Sequence, residues 1–132
     1  MGEFTSLKEA QEYFVHDRFA AVNGMRVTAI GDGTASATVD ITADHRNAYG
    51  GVMGGAITTL ADLAFAACAN NIHRTTVAQQ MSVNFLSGSK GNRLTADARC
   101  IKNGRTSVII DITVTDDTGR AIAQIVGTGF KL

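Results

Sequence analysis

The sequence predicts an α+β fold in which an antiparallel, curved sheet wraps around one long central helix. Three observations predict it. Between Arg46 and Arg74 the only charged side chain is Asp62, and the run NAYGGVMGGAITTLADLAFAACANNIH opens with glycines before turning to small and apolar residues. Such a segment reads as a helix buried on most faces, because a helix that is apolar nearly all round has to be surrounded. After it the chain is strand upon strand, separated by short groups of turn residues. There is also no proline, no repeat and no linker-like stretch. One domain over 1–132 is therefore expected, with 1–24 as an N-terminal helical segment and 25–132 as the core.

The elements follow in order. Ser6-Leu7-Lys8-Glu9 is a capping box, so a first helix should run over about 7–16. Asp17 can cap a short second turn that ends at Asn23-Gly24. Two strands, about 25–30 and 34–41, flank the turn Gly31-Asp32-Gly33. A loop over 42–53 leads into the long helix, about 54–71. The second half is expected to be a four-stranded meander: 75–86, then the turn 87–92, then 93–102, 105–115 and 120–130. Asn103-Gly104 is a type I′ hairpin signal. In the strand after it Val108, Ile110, Ile112 and Val114 alternate with Ile109, Asp111, Thr113 and Thr115, so one face is apolar. A sheet of this kind leaves edges and part of one face open, so self-association is expected.

Composition excludes several classes of function. A chain of 132 residues buries roughly two-thirds of its unfolded surface, enough for one core. Twelve basic residues balance twelve acidic ones, so no field steers the chain toward nucleic acid or an anionic membrane. Cys68 and Cys100 lie in apolar or strand-like surroundings without CxxC spacing, and read as thiols of a reducing compartment. With polar, helix-like first residues and no signal peptide, the expected location is cytoplasmic. The span 50–69 has the length and the GxxxG spacings of a membrane helix. However, it is mostly Gly, Ala and Thr, and Asp62 would sit near the bilayer centre at a cost of about 2.5–3.5 kcal/mol. No membrane partner is expected. His16, His45 and His73 are scattered without ligand spacing, so no metal is expected either.

Asp62 is where function is sought, because an unpaired buried carboxylate costs several kcal/mol and must be paired, protonated or used. Gly54-Gly55 stands where the helix should begin, so free N–H groups and the positive end of the helix dipole point into the preceding loop. Such an end can hold a carbonyl oxygen that gains negative charge, and glycine allows close approach. Asp62 lies eight residues on, about 12 Å along the axis. One substrate carbonyl cannot touch both within one subunit. Two antiparallel helices facing across a dimer would bring the Asp62 of one to the Gly54 of the other. Asn47 and His45 lie in the loop within reach of a substrate or water. Bland alternatives stand beside each: Thr58 one turn back or a neighbouring strand satisfying Asp62, Asn47 shaping a turn, His45 solvated, the glycines serving tight packing. No GxSxG or Cys–His pattern offers a serine or cysteine nucleophile.

The run Asn47-x-x-Gly50-x-x-Met53-Gly54-Gly55-x6-Asp62, followed by the strand VAQQMSVNFLSGS, resembles the hotdog-fold acyl-CoA thioesterases of the PaaI-like type. The resemblance covers 39–132, including the NGR hairpin and the closing strand. It implies a hotdog fold, no cofactor, and a homodimer, often a dimer of dimers, with acyl-CoA bound between subunits. It further implies that Asp62 is the catalytic carboxylate, that Gly54 offers its N–H to the thioester carbonyl, and that Asn47 helps position carbonyl or water. The family usually carries His immediately before the two glycines. Here that residue is Met53, which holds no proton and donates no firm hydrogen bond. A Ser or Thr that assists the carboxylate in some relatives would fall near Ala78, with Gln79 and Gln80 close by.

The expected activity is hydrolysis of a small or medium acyl-CoA, aliphatic or aromatic, to free acid and CoA. Asp62 would act as nucleophile or as general base. Met53 and Gly55, with Leu60, Leu63 and Phe65, are candidates for the acyl pocket, Leu60 and Phe65 also reading as plain core. Among Arg46, Lys90, Arg93, Lys102 and Arg105, the CoA phosphates would draw chiefly on Arg93 and Arg105. The rival reading is a non-catalytic acyl-CoA binding or sensing protein, with Met53 marking lost chemistry.

Overall fold

The structure is a computed structural model and describes residues 2–132; Met1, the first residue of the expected N-terminal segment, lies outside it. Helices α1 (Leu7–Phe14) and α2 (Arg18–Val22) precede strands β1 (Arg26–Gly31) and β2 (Thr34–Asp40). A 3-10 turn (Ala43–His45) leads to the long helix α3 (Gly54–Ile72), followed by β3 (Thr76–Phe85), β4 (Arg93–Asn103), β5 (Ser107–Asp116) and β6 (Ala121–Lys131). Helix α1 starts on the expected cap, with Ser6 Oγ accepting from the Glu9 amide at 3.1 Å. It stops two residues early, because His16 and Asp17 donate to Tyr13 and Phe14 in tighter turns that lead into α2.

The six strands form one antiparallel sheet in the order β1-β2-β4-β5-β6-β3. Helix α3 lies in its concavity. The inner rows of β2 and β4 are small, with Ala35, Ala37, Ala96 and Ala98 each at most 3% exposed. Those of β5 and β6 are branched, with Val108, Ile110, Ile112, Val114 and Ile125 fully buried. Small residues on one side let the helix sit close; branched ones on the other fill the volume. Phe65 is the largest of the fully buried side chains. Its ring occupies the space above Gly127 and Gly129, where added β-carbons would approach it to 2.8 and 2.9 Å.

The C-terminal end of α3 is fixed by two buried amides. Asn70 spans the start of β3, accepting from the Thr76 amide at 2.9 Å and donating to Thr76 O at 3.1 Å. Asn71 accepts from the Phe4 amide and donates to Gly31 O, tying the N-terminal segment and the β1–β2 turn to the helix. Each carboxamide is satisfied at both ends, as burial requires.

Three expectations are corrected. The second half is not a four-stranded meander: only β4, β5 and β6 are, while β3 pairs with β6 at the far edge. Residues 86–92 therefore cross the end of the sheet instead of closing a hairpin. Asp116 holds that crossover, its Oδ2 accepting from the Lys90 and Gly91 amides and from Ser89 Oγ. The Asn103-Gly104 pair does not form a type I′ turn. Gly104 is not among the glycines with positive φ, Asn103 pairs with Val108, and the loop is wider, with the Gly104 amide donating to Ser107 O. Lys131 Nζ on Asn103 Oδ1 and Gly104 O holds it in that form. Finally, Asp62 is exposed on the protomer surface, for a reason that lies in the open face of α3.

Candidate active site

One stripe of α3 has no sheet above it. Gly55, Thr59, Asp62 and Ala66 recur at helical spacing, and all four are exposed or half-buried while the flanking Leu60, Ala61, Leu63 and Ala64 are buried. Met53 continues the stripe at its N-terminal end, 56% exposed. The carboxylate is therefore on the one side of the helix that the protomer leaves uncovered.

The loop before α3 is braced from within. Arg46 and Val52 form a bridge, the Asn47 amide donates to Gly51 O, and Asn47 Oδ1 accepts from the Tyr49 and Gly51 amides at 3.0 and 3.1 Å. Gly50 sits at φ +86°, a conformation for which glycine is the natural residue. Asn47 thus shapes the turn with its oxygen. His45 is buried, not solvated: Nδ1 accepts from the Thr42 amide at 2.9 Å, so Nε2 carries the proton and donates to Asn23 O at 2.7 Å. Both ring nitrogens serve the fold, and the His45 carbonyl in turn receives the Met53 amide at 2.8 Å.

This bracing delivers Met53 to the N-cap position with φ −65° and ψ 137°. Met53 offers no side-chain acceptor to the helix end. The Ala56 and Ile57 amides both turn to Met53 O, which leaves those of Gly54 and Gly55 without a partner among the described residues. Two free N–H groups and the positive dipole end thus meet at an exposed point.

Thr58 does not hold Asp62. Thr58 and Thr59 fold their hydroxyls back onto the Gly54 and Gly55 carbonyls, each at 2.8 Å. Among the described residues Asp62 makes no hydrogen bond and no ion pair. It lines a cavity of about 310 Å³ together with Asp17, Arg18, Phe19, Thr59 and Leu63. Partial enclosure raises its pKa, and the Asp17 carboxylate nearby raises it further. Asp17 occupies the N-cap position of α2 but makes no capping bond, so its carboxylate is uncommitted. Sequence reasoning missed its place beside Asp62, because an Asp before a helix reads simply as a cap.

A second cavity of about 300 Å³ adjoins the first through Phe19 and Thr59, and is walled by Met25, His45, Met53 and Gly55. The two form one groove along the open stripe, apolar toward Met53 and acidic toward Asp62. Leu63 takes part; Leu60 and Phe65 are core. On the other side of the helix end a third cleft, about 420 Å³, is bounded by Val52, Gly54, Phe85 and residues 86–89.

Other candidates lie apart. Gln79 is the extra residue of a bulge in β3, exposed on the free edge of the sheet. Arg93 stands at the end of the sheet nearest Gly54, but Asp40 takes its guanidinium at 2.8 Å. Arg105 is at the opposite end, exposed and without an ion pair among the described residues.

The structure thus places an open helix end of paired glycines, a carboxylate two turns along and a curled sheet behind them in one region. Comparison with known proteins gives the family. The model of the thioesterase superfamily matches residues 49–123, more than half the chain. Acyl-coenzyme A thioesterase PaaI of Escherichia coli (strain K12) is 27% identical over 126 residues, covering 95% of this chain and 90% of that protein. The structure of the E. coli PaaI protein from the phenylacetic acid degradation operon superposes with a TM-score of 0.83 at 25% identity, over 96% of both chains. A thioesterase protein from Streptococcus pneumoniae TIGR4, solved with coenzyme A, gives 0.80 at 26%, over 89% of this chain and 94% of that one. The chain belongs to the thioesterase superfamily, in its PaaI-like hotdog form, and is a thioester hydrolase. No helix among the described residues is long and apolar enough to cross a membrane.

Proposed function

We propose that the protein hydrolyses acyl-CoA at a site shared by two protomers. The observation that carries this is the open stripe of α3: two unpartnered amides at its start and an unpaired carboxylate two turns along the same face. The separation of about 12 Å along the axis is too long for one carbonyl to meet both in one protomer. Two α3 helices packed antiparallel on their open stripes set each Asp62 against the other's Gly54. The free edge of β3 supports the same pairing, since an unpaired ten-residue strand is completed by a second copy of itself. A dimer of dimers is a further step of the same kind, and a cytoplasmic location fits the free thiols.

In this site the Gly54 N–H, with Gly55 beside it, takes the thioester oxygen as it becomes negative. Asp62 of the facing protomer removes a proton from water, whose oxygen bonds to the carbonyl carbon, or attacks that carbon itself to give an anhydride that water opens. In either route the C–S bond breaks and the thiol leaves with one proton. Enclosure that raises the Asp62 pKa makes it a better base near neutral pH. The apolar cavity beside Met53 suits a short or medium acyl chain, aliphatic or aromatic. Each methylene it buries contributes about 0.8 kcal/mol.

The test is CoA release from short, medium and aromatic acyl-CoAs, with light scattering for the dimer. Asp62→Asn is expected to lose at least a hundredfold in kcat. Mixing it with an equal amount of a Gly54 variant that lacks the N–H should restore about a quarter of wild-type activity, because half the dimers then carry one intact site. Acyl-CoA binding without turnover in the wild type would replace this reading with a sensor in which Met53 marks lost chemistry.

A further inference from the structure

We infer that Phe85 is the residue that seats the thioester on the helix end: its ring lies against Gly54 and walls the cleft that takes the thiol arm of the substrate. The inference rests on the acyl-CoA reading above and goes beyond it to a side chain not yet given a role. Phe85 is the last residue of β3, yet 57% of its surface is exposed, although a strand end against a core offers ample burial for an aromatic ring. The ring lies instead across Gly54. A β-carbon on Gly54 would stand 3.0 Å from Phe85 Cζ, 3.4 Å from Cε1 and 3.6 Å from Cε2. No positive φ requires glycine at 54. What meets a β-carbon at 54 is the ring, which would have to move aside by a few tenths of an ångström, so ring and α-carbon lie in close approach.

The two clefts beside Gly54 differ in chemistry, and Phe85 belongs to only one. The groove toward Met53 and Phe19 is apolar and suits hydrocarbon. The cleft of about 420 Å³ past Phe85 runs between Val52 and Ile57 on one side and Leu86, Ser87 and Ser89 on the other. Apolar side chains there alternate with hydroxyls and exposed backbone. The thiol arm of CoA has the same character, two amides joined by short methylene runs. A thioester whose carbonyl sits at Gly54 needs one cleft for each arm, and the structure provides two of matching polarity. Residues 86–89 cannot drift from this position, because the Leu86 amide is bound to Ile122 O at 2.8 Å, Ser87 Oγ donates to Ala121 O, and Asp116 holds Ser89.

The experiment pairs kinetics with CoA binding by calorimetry, which reads the cleft independently of turnover. Phe85→Ala is expected to weaken CoA about tenfold and to raise KM for acyl-CoA similarly, with kcat falling less than threefold, since the wall is met by ground and transition states alike. Phe85→Tyr, which keeps the ring, should stay within twofold of wild type in both. Asp62→Asn should leave CoA binding unchanged. Gly54→Ala, which pushes the ring aside, should lose part of what Phe85→Ala loses, and the two losses should not multiply in the double variant. CoA affinity unchanged in Phe85→Ala, or losses that multiply in the double variant, would overturn the inference. Should the wild type bind CoA without hydrolysing any thioester, the calorimetric difference alone decides: a tenfold loss upholds the role of Phe85 while hydrolysis fails. A wild type that binds no CoA overturns both.

Discussion

Gly54→Pro removes the proposed oxyanion donor without removing a helical hydrogen bond. Gly54 is the first residue of α3, and its N–H has no partner among the described residues, so proline there removes no helical hydrogen bond. Met53 already holds φ −65° and ψ 137°, the extended conformation that a residue before proline prefers. The new β-carbon stands 3.0 Å from Phe85 Cζ, a contact that an exposed ring relieves by shifting a few tenths of an ångström. Gly54→Ala carries that same contact and keeps the N–H. The ratio of the two variants therefore reads the loss of the N–H together with the Cδ that takes its place. Losing one donor to a developing oxyanion typically costs ~10²–10³ in kcat, about 2.7–4 kcal/mol; the neighbouring Gly55 N–H favours the lower end. Steady-state CoA release measures it, with thermal melting as the control, where the two variants should agree within a few degrees. If Gly54→Pro turns over within threefold of Gly54→Ala, this amide does not hold the oxyanion and the mechanism built on it is wrong.

Four other expectations follow from the same geometry. Asp62 has its pKa raised by enclosure, so as a carboxylate it opposes folding at neutral pH. Asp62→Asn should raise Tm at pH 7, the gain shrinking to nothing as pH falls below the ordinary carboxylate value near 4. Asp17→Asn removes the like charge beside Asp62, and the acid limb of the pH–kcat profile should move to lower pH; a limb that stays put or moves up contradicts the pairing. Asp116 is held well below the usual carboxylate range, chiefly by the Thr118 hydroxyl and then by the Lys90, Arg120 and Thr118 amides. Its contribution is complete above about pH 4 and fades as pH drops through the lowered value, so Asp116→Asn should melt lower than wild type at pH 7, with the gap closing in acid. Gly127→Ala drives a methyl group into the Phe65 ring at 2.8 Å and should cost ~1–3 kcal/mol in urea unfolding with an unchanged m-value.

Local signals were legible in the sequence and long-range ones were not. The N-cap at Ser6, the glycine turn before Thr34 and the long apolar helix are written within a few residues each, and the structure has them, although the expected capping box is only half formed because the Glu9 carboxylate accepts from the Thr5 hydroxyl. The partner of β3 is not: Ser87 to Asn92 carries the composition of a hairpin turn, and only pairing with Ala121–Lys131 makes it a crossover. Composition marked Asp62 as the residue to explain, but its exposure depends on where the sheet stops covering α3, which no window of sequence states. His45 shows the opposite case, a polar loop residue buried because the Asn23 carbonyl, distant in sequence, receives its ring. Phe85 gave no signal at all. Its meaning is a contact with the α-carbon of a glycine, and glycines do not announce what lies above them.

The strand order also sets a timetable. β3 leaves the ribosome before β4, β5 and β6, yet among the described residues its one partner in the sheet is β6, the last strand along the chain. At ~5–20 residues per second, residues 76–85 therefore emerge seconds before residues 121–131 exist to receive them. In that interval an apolar helix and an unpaired strand stand open on the nascent chain, and the loop that must close around residues 86–120 makes the final step non-local and slow. Chains cut before Ala121 would be left with a β3 that has no neighbour, and that strand would seek one in another molecule.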